Sequence, residues 1–295
     1  MDNCLLIGNG INRCCGGMSW ENLLLKIAEN YFASNGTVKS SVLAFEQLKC
    51  AILSRNINVS SENFAYEILK ELDMLDWSLY SDIYSHFLTL HINNILTTNF
   101  DYSIERTLVE NYQYDKYTRN VVMPQETKCS RIRHSNIKGK KIFHIHGELG
   151  KRSTICLGNV HYATNLSSIM NRILDYNREI DTYTIKNSIF DLDNELLSWA
   201  QFFFTNNIYI VGLGLYDCDM DLWWLIAYRQ QLKLEGNNRI KNRIVYYYLY
   251  EQKDQDFKDC LESMGIDVRE LQIKEYDWKN AYIKIAENIK KCIGN

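Results

Sequence analysis

Along the chain, short unbroken apolar runs alternate with longer stretches in which apolar residues recur every three or four positions. Runs centred in 3–7, 93–98, 140–146, 208–211 and 244–250 have the length and continuity of strands buried on both faces. The spacing predicts helices over 41–54, 61–72 and 76–91, then from Tyr102 to about 112 and over 165–177, 184–204, 219–233, 253–263 and 277–292. Strands separated by helices predict an α/β fold, a Rossmann-like doubly wound parallel sheet. No strand pattern interrupts 19–91, so that stretch predicts a helical insertion subdomain after the first strand, opened by Ser19 as an N-cap with Glu21 in an acidic first turn. With no internal repeat or low-complexity linker, 1–295 reads as a single domain. Residues 154–158 form a short extended piece. Residues 113–140 are polar and poorly periodic, a length of loop that is usually functional or mobile.

Composition narrows the classes. A hydrophobic fraction of 46%, a charged fraction of 23% and a formal net charge of −3 are those of an ordinary globular protein without a global attraction to nucleic acid, which is not expected as a direct substrate, or to an anionic membrane. There is no apolar run long enough to span a bilayer and no basic leader, so a cytoplasmic protein is expected. The 9 cysteines include no C-x-x-C pair, which removes zinc ribbons and thioredoxin-type motifs and predicts reduced thiols, Cys14 and Cys15 included; no metal is expected.

Candidate chemistry gathers at strand ends, where open α/β sheets bind ligands. The first strand runs into Gly8-Asn9-Gly10, a turn that lets phosphate approach backbone N–H groups. The third glycine of a dinucleotide fingerprint would fall at Arg13, and the acid expected about twenty residues on is missing, which disfavours hydride transfer. There is no P-loop either. The second and third strands end at Thr97-Thr98-Asn99-Phe100-Asp101 and His144-Ile145-His146-Gly147, and a later one at Gly212-Leu213-Gly214. An amide such as Asn99 can donate and accept at once, and an imidazole such as His146 is suited to act as a general base near neutral pH. The competing readings are a helix cap for Asn99 and a backbone-satisfied core histidine for His146. His144 alternates with His146 and is expected to face the other way as a structural residue.

Other polar groups have plainer readings. Asp217, Asp219 and Asp221 fit stabilisation of a helix N-terminus better than a metal site. The run Lys128, Arg131, Arg133, His134, Lys138, Lys140 and Lys141 fits a solvated loop, and Tyr246-Tyr247-Tyr248 reflects β-propensity. His161 and Tyr162 either close over the site or simply pack.

In the order Gly8-Asn9-Gly10-Ile11-Asn12, Thr97-Thr98-Asn99-Phe100-Asp101, His146-Gly147 and Gly212-Leu213-Gly214, the chain resembles the sirtuin-like family. Trp20-Glu21-Asn22-Leu23-Leu24 and Gly158-Asn159-Val160-His161-Tyr162 resemble the bacterial branch associated with antiphage defence, whose members hydrolyse NAD. The resemblance implies a sirtuin-like domain with Asn99 and His146 as catalytic residues. It implies NAD binding, as substrate, by Gly8, Asn9, Gly10, Asn12, Thr98, Asp101, Gly212 and Gly214, with Asp101 on the nicotinamide carboxamide. Sirtuin deacylases carry Gln where this chain has Thr98, a zinc module of two C-x-x-C pairs where only Cys156 lies nearby, and a proline-containing segment absent from the first loop. Those departures disfavour a protein deacylase or ADP-ribosyltransferase and leave NAD cleavage to nicotinamide and ADP-ribose, in an NAD-depleting defence effector. The alternative from another class is a catalytically quiet module that binds NAD or ADP-ribose within a defence complex. A homo-oligomer, or a separately encoded sensor or activator, is the expected partner.

Overall fold

The computed structural model describes residues 1–17, 19, 22–23, 26, 41–54, 76–119, 133–151, 154–177, 182–191, 198–274 and 277–294. Its centre is an eight-stranded sheet built from β1 (Asn3–Ile7), β2 (Asn94–Thr97), β3 (Thr118–Arg119), β4 (His134–Ile137), β5 (Lys140–His144), β8 (Asn207–Val211), β9 (Ile244–Tyr250) and β10 (Ile266–Gln272). The order is β10-β9-β8-β1-β2-β5-β4-β3. Six strands from β10 to β5 pair in parallel, and β4 and β3 extend that edge antiparallel. From β1 the chain builds outward through β2 and β5, then crosses back to lay β8 on the other flank of β1. The switch point of this doubly wound sheet therefore falls between β1 and β8, at their carboxyl ends.

The central strands β1, β2, β8 and β9 are largely apolar because both faces are covered. In β1, Cys4 and Leu6 join a core completed by Phe202, Phe203 and Phe204 and by Leu222, Leu225 and Ile226 of helix α8 (Met220–Leu234). Leu5 and Ile7 point to the opposite core, with Tyr80, Ile83, Tyr84 and Phe87 of helix α3 (Ser78–Leu88) and Tyr282, Ile285 and Ile289 of helix α10 (Trp278–Ile293).

Between β1 and β2 the described residues are helical where regular: α1 (Gly10–Cys14), α2 (Ser41–Ser54) and α3, with no strand among them. Ser19 caps as its sequence suggests, its hydroxyl accepting from the Asn22 N–H at 3.1 Å. The helix expected over 61–72 lies outside the described residues. After β2, helix α4 (Ser103–Leu108) and the single turn α5 (Tyr114–Tyr117) lead to β3.

Several expectations are corrected. The polar segment 113–140 contributes β3 and β4 to the sheet. Residues 154–158 form no strand, although the Cys156 N–H donates to the His146 carbonyl at 2.8 Å. The helix expected over 165–177 is α6, Asn159–Ile173, and it is followed by a hairpin of β6 (Leu174–Asn177) and β7 (Thr182–Ile185). Of the helix expected over 184–204, residues 192–197 lie outside the described residues; the rest is the end of β7, short 3-10 turns at Asn187–Phe190 and Trp199–Gln201, and the start of helix α7 (Phe202–Thr205). Past helix α9 (Gln255–Ser263), β10 adds an edge strand that the apolar pattern does not announce. No helix of the described residues is long and apolar enough to cross a membrane.

The glycine turns at the switch point are packed against each other. Gly8 and Gly10 donate their N–H groups to the Val211 and Gly212 carbonyls at 2.9 and 2.8 Å. A Cβ on Gly8 would lie 2.5 Å from the Gly212 carbonyl oxygen and 2.6 Å from the Leu213 Cα, both main-chain atoms. Gly8→Ala is thus expected to destabilise the protein by about 1–3 kcal/mol, the range for overpacking a close-packed interior, read as a lowered denaturation midpoint.

Candidate active site

Register brings the sequence-predicted residues to one level. Val211, Ile7, Thr97 and His144 form a continuous rung across β8, β1, β2 and β5. Gly8, Thr98 and Gly212 stand one residue beyond this rung, Asn9, Asn99 and His146 two beyond it. Gly10, Asp101 and Gly214 follow within two residues more. Four strands of one register end together, and so their polar termini collect at one edge of the sheet.

Asn99 is buried, although its side chain belongs to a loop. Its N–H donates to the Thr97 hydroxyl at 3.1 Å, and its carbonyl accepts from His144 Nδ1 at 2.6 Å. The side-chain Nδ2 faces the Tyr84 hydroxyl at 3.4 Å and the Gly8 carbonyl at 3.5 Å. Its Oδ1 is buried with no hydrogen-bond partner. Leaving a buried amide oxygen unmatched costs roughly 1–3 kcal/mol, so an acceptor of this kind at a strand end is matched to a donor on a ligand or water.

The competing reading of Asn99 as a helix cap is not met, since Tyr102 holds the N-cap position of α4. The Ser103 N–H at its first turn is met by Asp101 Oδ1 at 2.9 Å and not by Asn99. Asp101 Oδ2 accepts from Asn12 Nδ2 at 3.0 Å, and Asn12 Oδ1 accepts from the Tyr84 hydroxyl at 2.7 Å.

His146 is oriented by a residue that sequence reading assigns elsewhere. Its Nε2 lies 3.1 Å from Asp221 Oδ2, and Asp221 is fully buried in the first turn of α8. Asn165 of α6 donates Nδ2 to the same carboxylate oxygen at 2.6 Å. Tyr162 sets its ring edge-on to the imidazole at 5.3 Å. A carboxylate can only accept, so its contact to Nε2 fixes the orientation of the ring. Asp221 therefore acts as partner to His146 and does more than stabilise the helix N-terminus. Asp217, exposed, keeps only the latter reading. The signal for Asp221 in the sequence is the acidic run directly after a strand-end glycine turn; Asn165 gives none beyond a polar residue inside a helix.

Asp219 shares this pocket of charge. Burial pushes its carboxyl up to about 6, Asp221 adds to the rise and His146 opposes it. An acid raised in the folded state contributes stability that is complete below the unfolded value of 3.8 and lost as pH rises through about 6. Asp219→Asn keeps an acceptor for the Tyr216 N–H, now met at 2.9 Å, and removes the charge. Relative to the parent, this variant is expected to gain roughly 3 kcal/mol between acid and neutral pH, since a tenfold change in proton affinity is worth about 1.4 kcal/mol. Parallel denaturation curves across that interval check it.

The remaining residues sort clearly. His144 turns away from His146 and bonds Glu105 Oε1 at 2.9 Å through Nε2. Tyr162 closes on His146, whereas His161 accepts from the Leu157 N–H at 3.0 Å. Two members of the basic run are buried structural cations and not a solvated face: Arg133 pairs with Glu148, and Lys140 donates to the Leu90 and Ile92 carbonyls at 2.9 Å. Lys128 and Arg131 lie outside the described residues. Gly8 and Gly10 spend their N–H groups on β8 and the turn beyond it, so their contribution is close backbone approach, and the phosphate-facing N–H groups expected there are not theirs. Among the described residues the cysteines are free thiols.

A family model for the SIR2-like domain matches residues 93–269. The chain belongs to that family, whose members are in general NAD-dependent enzymes. The matched span holds Asn99, Asp101, His146, Gly212 and Asp221, while the first glycine turn precedes it. No curated protein matches the chain.

Proposed function

We propose that the protein is an NAD glycohydrolase, cleaving NAD to nicotinamide and ADP-ribose. The observation that carries this reading is the unmatched, buried Asn99 Oδ1 one strand away from an imidazole oriented by a buried carboxylate. In the reaction the C1′–N bond of the nicotinamide riboside breaks, and its electron pair neutralises the pyridinium nitrogen, so no general acid is needed. Water attacks C1′ as the oxocarbenium ion develops, and His146 Nδ1 takes its proton. Asn99 Oδ1 accepts from a ribose hydroxyl or from that water. Asp101, with lone pairs beyond the two it uses inside the protein, receives the carboxamide. The adenosine diphosphate portion follows the switch point along Gly8–Asn12 and Gly212–Gly214, with Thr98 beside it.

The resemblance of Trp20–Leu24 and Gly158–Tyr162 to the antiphage branch is the basis for reading the protein further as an NAD-depleting defence effector, triggered by self-assembly or by a separate activator protein. The Gly158–Tyr162 motif behind that reading has a visible task. A Cβ on Gly158 would meet Glu46 and Phe45 of α2, and the helix begun there carries Tyr162 onto His146. Nicotinamide release from NAD, with and without an acyl-lysine peptide, tests the proposal. Release independent of peptide supports hydrolysis, and release that requires peptide returns the chain to the deacylases.

A further inference from the structure

We propose that Tyr84, on a helix of the segment inserted between β1 and β2, is a positioning residue that fixes the Asn99 amide with its nitrogen toward the protein and its oxygen toward the ligand. The inference rests on the reading of Asn99 as a site residue and adds what sets its orientation.

The order of protons along this chain of side chains is forced from one end. Both Asp101 oxygens accept, Oδ1 from the Ser103 N–H and Oδ2 from Asn12. The Asn12 group facing Oδ2 at 3.0 Å is therefore the amide nitrogen, and Asn12 presents its oxygen to Tyr84. The Tyr84 hydroxyl has one proton, and the contact to Asn12 Oδ1 at 2.7 Å uses it. Tyr84 then has only a lone pair to offer Asn99, so the Asn99 group 3.4 Å away is the donor Nδ2. The Gly8 carbonyl, a second acceptor on the same side, enforces the same choice. Asn99 Oδ1 is left over, buried and unmatched. Burial and the nearby Asp101 charge raise the Tyr84 pKa, which keeps the hydroxyl a donor throughout the neutral range. Asp101 thus acts on the site through three residues, and the group a ligand sets against Asn99 is a hydroxyl or water, not an acceptor.

The test combines Tyr84→Phe, which keeps the ring and removes the hydroxyl, with Asn12→Ala, which keeps Tyr84 but frees its proton to turn toward Asn99. In full-length protein labelled with 15N-asparagine, the Asn99 side-chain amide signal is identified by its loss in Asn99→Ala. Both variants are expected to shift that signal and to speed its exchange with solvent. Both are also expected to lower the nicotinamide release rate by about 10- to 100-fold with little change in KM, the scale of a misplaced catalytic contact. If Tyr84→Phe fails to fold, Asn12→Ala carries the test alone through the Asn99 amide signal, because a mere packing role for the Tyr84 ring predicts no movement of that signal. An unmoved Asn99 signal, or a moved signal with an unchanged rate, overturns the proposal. Moved signals in a chain that never releases nicotinamide uphold the hydrogen-bond chain and overturn the NAD reading instead.

Discussion

Alanine at Asn99 or at His146 is expected to cut nicotinamide release by about 10²–10⁴-fold, the range for loss of a general base or of a contact made to the reacting centre. The two losses have different origins. Asn99→Ala deletes an unmatched acceptor at the carboxyl end of β2, and the buried oxygen it removes had no partner whose loss would weaken the fold. The lost Nδ2 contacts to the Gly8 carbonyl and the Tyr84 hydroxyl are long, 3.5 and 3.4 Å, so a modest loss of stability should accompany the loss of ligand positioning. His146→Ala removes the base and takes one partner from Asp221, which retains Asn165 Nδ2 and the Leu222 N–H at 2.6 and 2.9 Å. That carboxylate stays partly satisfied, so the variant should fold with a lowered midpoint. Circular dichroism with a nicotinamide assay separates the two effects, and full activity in either folded variant removes that residue from the mechanism.

Glu105→Gln is expected to give the largest loss of stability of any single conservative change near the site. Both neighbours of the buried His144 ring are acceptors: the Asn99 carbonyl at Nδ1 and the Glu105 carboxylate at Nε2. A neutral imidazole has one N–H and can serve only one of them. Burial by itself lowers the His144 pKa, yet the Glu105 charge and hydrogen bond, with Glu148 and the Asn99 carbonyl, outweigh it and hold the ring up to about 9. A base raised in the folded state contributes stability that is complete below the unfolded 6.5 and lost as pH rises through about 9. Removing one partner of such a buried pair costs about 3–5 kcal/mol. The variant should lose that much near neutrality, and its stability should no longer fall from pH 6.5 to 9 as the parent's does. Nicotinamide release should fall too, because His144 holds the Asn99 main chain. Equal stability of parent and variant at neutral pH would refute the ion pair.

Much of the fold and part of the site are legible in the sequence. Strands buried on both faces are continuous apolar runs, so β1, β2, β5, β8 and β9 stand out, and the strand-end positions of Asn99 and His146 follow from them. Edge and hairpin strands obey other rules. In β10, Ile266 and Val268 pack on one core and alternate with Asp267 and Arg269, and only Leu271 packs on the opposite face, so the strand has no continuous apolar run. The β6–β7 hairpin is four residues on each side and packs outside the main sheet, so its apolar residues blend into helical spacing. The partners of the site are hidden for a related reason. Tyr84 occupies an apolar face of α3 and Asp221 an acidic first turn, and both look ordinary until the fold brings them to Asn99 and His146. Buried charge is hidden likewise: Arg133 and Lys140 look like members of a solvated basic run until Glu148 and two carbonyls enclose them.

The central claim is that this site breaks the nicotinamide–ribose bond with Asn99 and His146 as its working groups. Its most direct test is product analysis of NAD incubated with the purified chain and, in parallel, with Asn99→Ala. Nicotinamide and ADP-ribose in equal amounts are expected from the parent, and neither from the variant. Equal release by both proteins, or no release by a parent that also fails to bind NAD, would contradict it.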